Sequence, residues 1–229
     1  MNIRILINHL TRMSSDKYCI AGIDIDDRRH YRPKLVGGYG GIPVEYFENK
    51  GGYIALRNII EFSQVKPKPE GAQSENVFFK IENIKRLGKV PHVEFWDWLY
   101  QSSNDSVSHI ISDLEIENTK GFVSEGFGSS SLGVLKPRKI DISGSPEKLE
   151  ITILDKKNTF NMAVTDSRFF DFDGIGFKPK YDFFKETISN AKKVVEDGEV
   201  LLSIGLTSPY PYLDAKRYWL QANNIFLKP

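Results

Sequence analysis

The stretch from Ile3 to Leu35 limits what this chain can fold into more than any other. Ile3, Ile5 and Ile7 alternate with Arg4 and Leu6, and an apolar run resumes at Tyr18, Ile20 and Ile23. Alternation of that period describes strands with a buried face. The polar residues His9, Thr11, Arg12 and Ser14-Ser15-Asp16-Lys17 put a hairpin turn between the two strands. A looser copy of this grammar closes the chain, with an apolar Val200 to Leu206, a turn holding Pro209 and Pro211, then Tyr218, Leu220 and Ile225. Leu10-Thr11 and Leu206-Thr207 are counterparts. The echo points to two related β modules, each a separate closed sheet, whose polar hairpin mouths face a common ligand.

Between the hairpins the pattern is one of short strands and few helices. Residues 53–65 have strand character, Pro67 and Pro69 interrupt it, and it resumes at Val77. Val93, Trp96, Leu99 and Tyr100, spaced helically behind Pro91, predict a helix over 91–100. Val107, Ile110, Ile111 and Leu114 behind a capping Ser106 predict a second, short one over 106–115. The Gly- and Ser-rich stretch 117–133 reads as a linker and places the domain boundary near it. Ile151 and Ile153 resume strand alternation, and Phe184, Ile188, Ala191 and Val195 mark a helical stripe that stops before Gly198. Such a series is compatible with small barrels.

Composition excludes several kinds of chemistry. With 31 Lys plus Arg against 30 Asp plus Glu, the net charge of +1 attracts neither nucleic acid nor an anionic membrane globally, so any anion site must be a local patch. The single Cys19 excludes an intrachain disulfide and a cysteine-rich zinc site. His9, His30, His92 and His109 are scattered without metal-binding spacing. Gly37, Gly38, Gly40 and Gly41 surround Tyr39 without the Gly-Lys-Ser/Thr ending of a phosphate loop, leaving either a connector or a ligand-touching loop. Asp24, Asp26 and Asp27, or Asp166, Asp171 and Asp173, could gather at a magnesium ion, but no Lys or His stands at a diagnostic interval beside Asp24 and Asp26. The expectation is a protein that is not an enzyme, with no metal and no cofactor. No run approaches the ~20 apolar residues of a membrane span, so a soluble, cytoplasmic protein without a membrane partner is expected.

Specific segments then suggest a family. The strand ending in LTRM, the following YCIAGIDI and the later YRPKL resemble the start of the bacterial dual OB-containing domain family. GSSSLGVLKP, AVTDSRFF, VLLSIGLTSPYP and RYWLQANNIFL resemble its second half, so the resemblance spans nearly the whole chain. It implies a mainly β chain with a few helices (β/α+β), folded as two tandem OB-like small β-barrels. Residues 1–125 would form the first, with a helical insertion, and residues 126–229 the second, with one helix. Nucleic-acid binding follows only from the fold, and no catalytic residue set carries over.

OB barrels that bind single strands combine a cationic groove with aromatic faces, each stacked base contributing roughly 1 to 3 kcal/mol. In the first module Thr11, Arg12, Arg28, Arg29, Tyr31, Arg32, Lys34 and Tyr39 are the candidates, and Arg32 is the cation expected to matter most. In the second they are Lys136, Arg138, Tyr210 and Tyr212, with Trp219 expected to fill the barrel core. The plainer alternative is that the cations are solvated strand positions, neutralised in part by Asp24, Asp26 and Asp27. The leading expectation is a tandem module for single-stranded or structured DNA or RNA, accessory to a bacterial defence or nucleic-acid-processing system. The alternative is an adaptor holding an enzymatic protein partner from the same operon, and a third reading is a metal-dependent phosphodiesterase.

Overall fold

A computed structural model of the chain describes residues 1–13, 16–37, 40–213 and 215–229. The chain starts with a meander of β1 (Ile3–Arg12), β2 (Lys17–Asp24) and β3 (His30–Leu35). β4 (Asn58–Phe62) pairs with the start of β1, and β5 (Asn76–Phe79) runs parallel to β3. β6 (Ile84–Lys89) is antiparallel to β4. β5 and β6 are arms of one stretch bent at the 3-10 turn Ile81–Asn83. β5, second from one end of the strand order beside the short Lys66–Pro67, and β6 at the other end are therefore consecutive in the chain, and the sheet curls into an OB-like barrel. Its interior holds Ile3, Ile5, Ile7, Tyr18, Ile20, Ile60, Phe62, Val77 and Phe79. At Gly22 a Cβ would sit 2.5 Å from the Leu6 carbonyl oxygen, so only glycine allows β1 and β2 to coil this tightly.

Helix α1 (His92–Gln101) follows, then a hairpin of β7 (Glu115–Glu117) and β8 (Lys120–Ser124). The second barrel begins with β9 (Leu132–Leu135) and β10 (Lys139–Ile142), halves of one stretch interrupted at Pro137. β10 continues into a meander with β11 (Glu150–Leu154) and β12 (Thr159–Val164). Helix α2 (Tyr181–Val194) comes next and buries Phe184, Ile188 and Ala191, the stripe expected from spacing. β13 (Val200–Leu206), β14 (Tyr210–Tyr212) and the long β15 (Ala215–Leu227) finish the chain. β15 runs parallel to β12 and antiparallel to β13, and β13 pairs with β9. Closure again rests on a strand broken in two, here the first strand of the barrel instead of the last.

A third apolar layer joins the barrels. Phe95, Trp96 and Leu99 of α1 pack with Leu6 and Ile23 of the first barrel and with Val134, Leu201 and Phe226 of the second. The buried face of α1 is rotated from the expected one: Val93 is 64% exposed and Tyr100 47%, because Phe95 and Leu99 are the residues aimed at this layer. Over 106–115 only Val107–His109 forms a 3-10 turn. Asp155 accepts the Val107 N–H at 2.9 Å, where Ser106 was expected to cap, and the chain then extends into β7. Residues 103–124, placed in the 1–125 module by sequence, hydrogen-bond into the second sheet: Ser103–Asn104 to β9 and β8 to β15. The two hairpins share a grammar but not a place, since the opening one supplies the first two strands of its barrel and the closing one the last two.

Candidate functional site

Barrels of this strand order bind ligands on the outer face of their second and third strands, between the loops joining strands one to two and four to five. In the first barrel that face is β2 and β3, with Tyr31 and Leu35 turned to the core and Arg32 and Lys34 turned outward. It is covered by the second barrel. The Leu10 N–H donates to Asn224 Oδ1 at 2.7 Å, Asn223 Nδ2 meets His9 Nδ1 at 3.0 Å, and Gln73 Nε2 donates to the Thr207 carbonyl at 2.9 Å. The covering leaves a cleft of about 210 Å³. Arg12 and Met13 of the first hairpin and Thr207 and Ser208 of the last line it together, so the two hairpin mouths share one space.

The residues singled out in the sequence divide between several places. Thr11, Arg12, Arg32 and Lys34 converge on the cleft, and Gly40 of the glycine loop joins them. Arg32 is 4% exposed and donates to Asn76 Oδ1 at 3.2 Å, so it has no open surface and reaches a ligand only through the cleft. Lys34 pairs with Glu70 at 2.7 Å. Arg28, at φ +64° in the tight turn after β2, lies over the Trp98 ring 3.4 Å from its centroid, away from the cleft. Arg29 is exposed, and its backbone N–H donates to Asp27. The Tyr31 hydroxyl also donates to Asp27, and burial together with that carboxylate pushes its pKa up to about 12. Tyr39 lies outside the described residues, as does Gly38. Lys136 sits over the Tyr100 ring and lines a separate depression with Arg138, flanked by Asp105, Glu196 and Asp197.

In the second barrel the corresponding face is open. A groove of about 330 Å³ has Glu150 of β11 and Asn161 of β12 along it, Lys148 from the loop joining strands one and two, and Tyr212 from the connection of strands four and five. The β7–β8 hairpin forms its far wall, contributing Glu117 and Lys120. Tyr212 and Trp219 meet edge to face with centroids 5.2 Å apart. The Arg217 guanidinium lies 3.8 Å from the Phe122 ring centroid and 4.3 Å from that of Tyr212, while its Nη1 holds Glu117 at 2.6 Å. Lys148 pairs with Glu150 at 2.6 Å. Cations of the groove are thus largely balanced, and its distinctive chemistry is aromatic. Tyr210 is 67% exposed and does not line the groove.

Trp219 was expected in the core and instead lines this groove, half-buried. Period two shows why: its neighbours Tyr218 and Leu220 take the inward positions of β15. Lys148 and Asn161 carried no signal beyond their place at the edges of the β11–β12 alternation. The carboxylates weighed as magnesium ligands are occupied otherwise. Asp24 accepts backbone N–H groups of Arg4, Asp26 and Asp27, and buried Asp166 pairs with Arg168 at 2.6 Å. No cluster of three or more His, Cys, Asp or Glu able to hold a metal ion occurs among the described residues. Likewise no described helix is long and apolar enough to cross a membrane.

Among solved structures the chain is similar to the Ifi202 HINa domain in complex with 20bp dsDNA, at 10% identity over 100% of this chain and 95% of that one, TM-score 0.37. It is also similar to a murine DNA-binding protein bound with double-stranded DNA, at 10% identity over 100% and 96%, TM-score 0.36. A third is the p204 HINb domain, at 11% identity over 96% and 95%, TM-score 0.35. No curated protein matches the chain. The family model of the dual OB-containing domain matches residues 3–225, nearly the whole sequence. The chain belongs to the dual OB-containing domain family.

Proposed function

We propose that the protein is a non-enzymatic nucleic-acid-binding module whose second barrel holds single-stranded or unpaired DNA or RNA in the groove between Lys148 and Tyr212. One observation carries this reading: the second-and-third-strand face of that barrel is open and flanked by the Tyr212–Trp219 pair. Bases stack on aromatic faces whatever their sequence, and Lys120 and Lys148 stand where a phosphate backbone would run. The first barrel, its face covered, supports the second instead of extending the groove.

Fluorescence anisotropy with a labelled single-stranded oligonucleotide tests the reading. Affinity should fall as salt rises, with a logarithmic slope of roughly 0.7 for each phosphate neutralised. Trp219→Ala should weaken it while circular dichroism stays that of the wild type. Absence of binding at low salt overturns the proposal. An adaptor reading is favoured by a different feature, an apolar groove of about 520 Å³ on the other side of the barrel junction, lined by Phe95, Trp96 and Phe226. Capture of a protein partner that is lost on Trp96→Ala, with no oligonucleotide binding, would select it.

A further inference from the structure

The cleft between the two hairpin mouths is positively charged and contains no acid. Arg12, Arg32 and Lys34 line it, and no Asp or Glu does among the described residues. Lys34 is compensated by Glu70, which stands outside the lining. Neither arginine has an ion pair among the described residues. Arg32 is buried and, among the described residues, held by one side-chain hydrogen bond, to the neutral amide of Asn76. Arg12 is pinned by the Phe170 ring, 4.2 Å from the centroid, and its Nε is sealed from solvent without an acceptor. Behind them lie His9, buried, and His30, half-buried, each with an Nε2 that has no partner among the described residues.

Burying a guanidinium without a carboxylate is costly, because the lost hydration is not replaced. Here Arg32 is buried and Arg12 half-buried with its Nε sealed, and the two line one small space that would favour an anion. Size narrows the choice. A cavity of about 210 Å³ is smaller than the ~300 Å³ at which pockets for whole drug-sized ligands begin, yet it has room for one tetrahedral group. Guanidinium N–H groups suit phosphate oxygens in pairs. The remaining lining offers neutral polar groups: Thr11 and Thr207 hydroxyls, Ser208, and the Gln73 and Asn223 amides.

We propose that this cleft is a phosphate site, in which Arg12 and Arg32 hold the phosphate group of an inorganic ion, a free nucleotide or the phosphorylated end of a strand. The site stands apart from strand binding in the second barrel's groove, and the two fail independently. Because both barrels contribute to its walls, phosphate also fastens them to each other.

The test uses the full chain and inorganic phosphate at constant ionic strength, with chloride as the balancing salt. Calorimetric titration should show one saturable site, and the melting temperature should climb with phosphate concentration as a ligand of the folded state requires. Arg12→Gln should weaken phosphate about tenfold or more. Arg32→Met removes an unpaired buried charge. It should keep or raise stability without phosphate and abolish the response to it, whereas a purely structural Arg32 would give lower stability and an unchanged response. If Arg32→Met does not fold, Arg12→Gln decides alone. Competition by AMP, or by a 5′-phosphorylated oligonucleotide against its 5′-hydroxyl twin, tells the sources apart. Equal melting temperatures in phosphate and chloride, or a wild-type response in Arg12→Gln, overturn the proposal.

Discussion

Asn8 and Ser203, 195 positions apart, exchange two hydrogen bonds across the barrel junction. Asn8 Nδ2 donates to Ser203 Oγ at 3.1 Å, and that hydroxyl donates to the Asn8 carbonyl at 2.8 Å. Asn8 is the extra residue of a bulge, since the register of β1 on β2 slips between Ile7 and His9. A bulge leaves its residue unpaired in the ladder. The serine supplies the missing partner from the other barrel.

Ser203→Ala should therefore lower stability by about 1 to 3 kcal/mol, the cost of stranding a buried donor and a buried carbonyl. Urea denaturation measures it. A wild-type midpoint would mean that water replaces the serine.

The shared layer makes a second expectation. Leu6 is fully buried between the barrels, so Leu6→Ala should cost roughly 2 to 5 kcal/mol. Because the layer holds residues of both barrels, calorimetry should show one cooperative transition for the wild type. Two resolved transitions would show that the barrels unfold separately.

Acid should loosen the junction. His9 and His30 meet edge to face at 5.6 Å, and burial, reinforced by the charge of Arg32, holds both below the ordinary 6.5, His30 at about 4. The unfolded chain takes up the His30 proton near pH 6.5, whereas the folded chain refuses it until about 4. Stability from the neutral ring is complete above about 6.5 and is lost as pH falls from there to about 4. For His30 the full loss is roughly 3 kcal/mol. Urea midpoints at about pH 7.5 and about pH 5 should differ, and less so in His30→Phe; equal midpoints would refute the idea.

In the open groove Tyr212→Ala should weaken oligonucleotide binding by roughly five- to a hundredfold, the range of one lost stack. Lys148→Ala should take roughly 0.7 from the salt slope, and less if Glu150 already neutralises it. A Tyr212→Ala variant with wild-type affinity would move the strand elsewhere.

Much of the architecture was readable in the chain. The alternation of Ile3, Ile5 and Ile7 marked an inward face, and Phe184, Ile188 and Ala191 marked the face of α2, because both periods are set by backbone geometry within a few residues. Thr11 and Thr207 line one space although their hairpins hold different places in the two barrels, a meeting that no local pattern encodes. Where local reading failed, a distant contact had won. Val107 finds its cap on Asp155, and β8 finds its partner in β15. For the same reason Arg32 looked like a surface cation until a second barrel was laid over it.

By itself the sequence determined that the chain makes short strands with one apolar face and places arginines beside its hairpin turns, since these depend on periodicity and turn chemistry; closure into two barrels was implied by the family resemblance. Only the tertiary structure decided that one barrel face is covered and the other open. That choice rests on a one-residue bulge at Asn8 and on side chains such as Ser203 and Phe226, which lie about two hundred positions away and have no local signature.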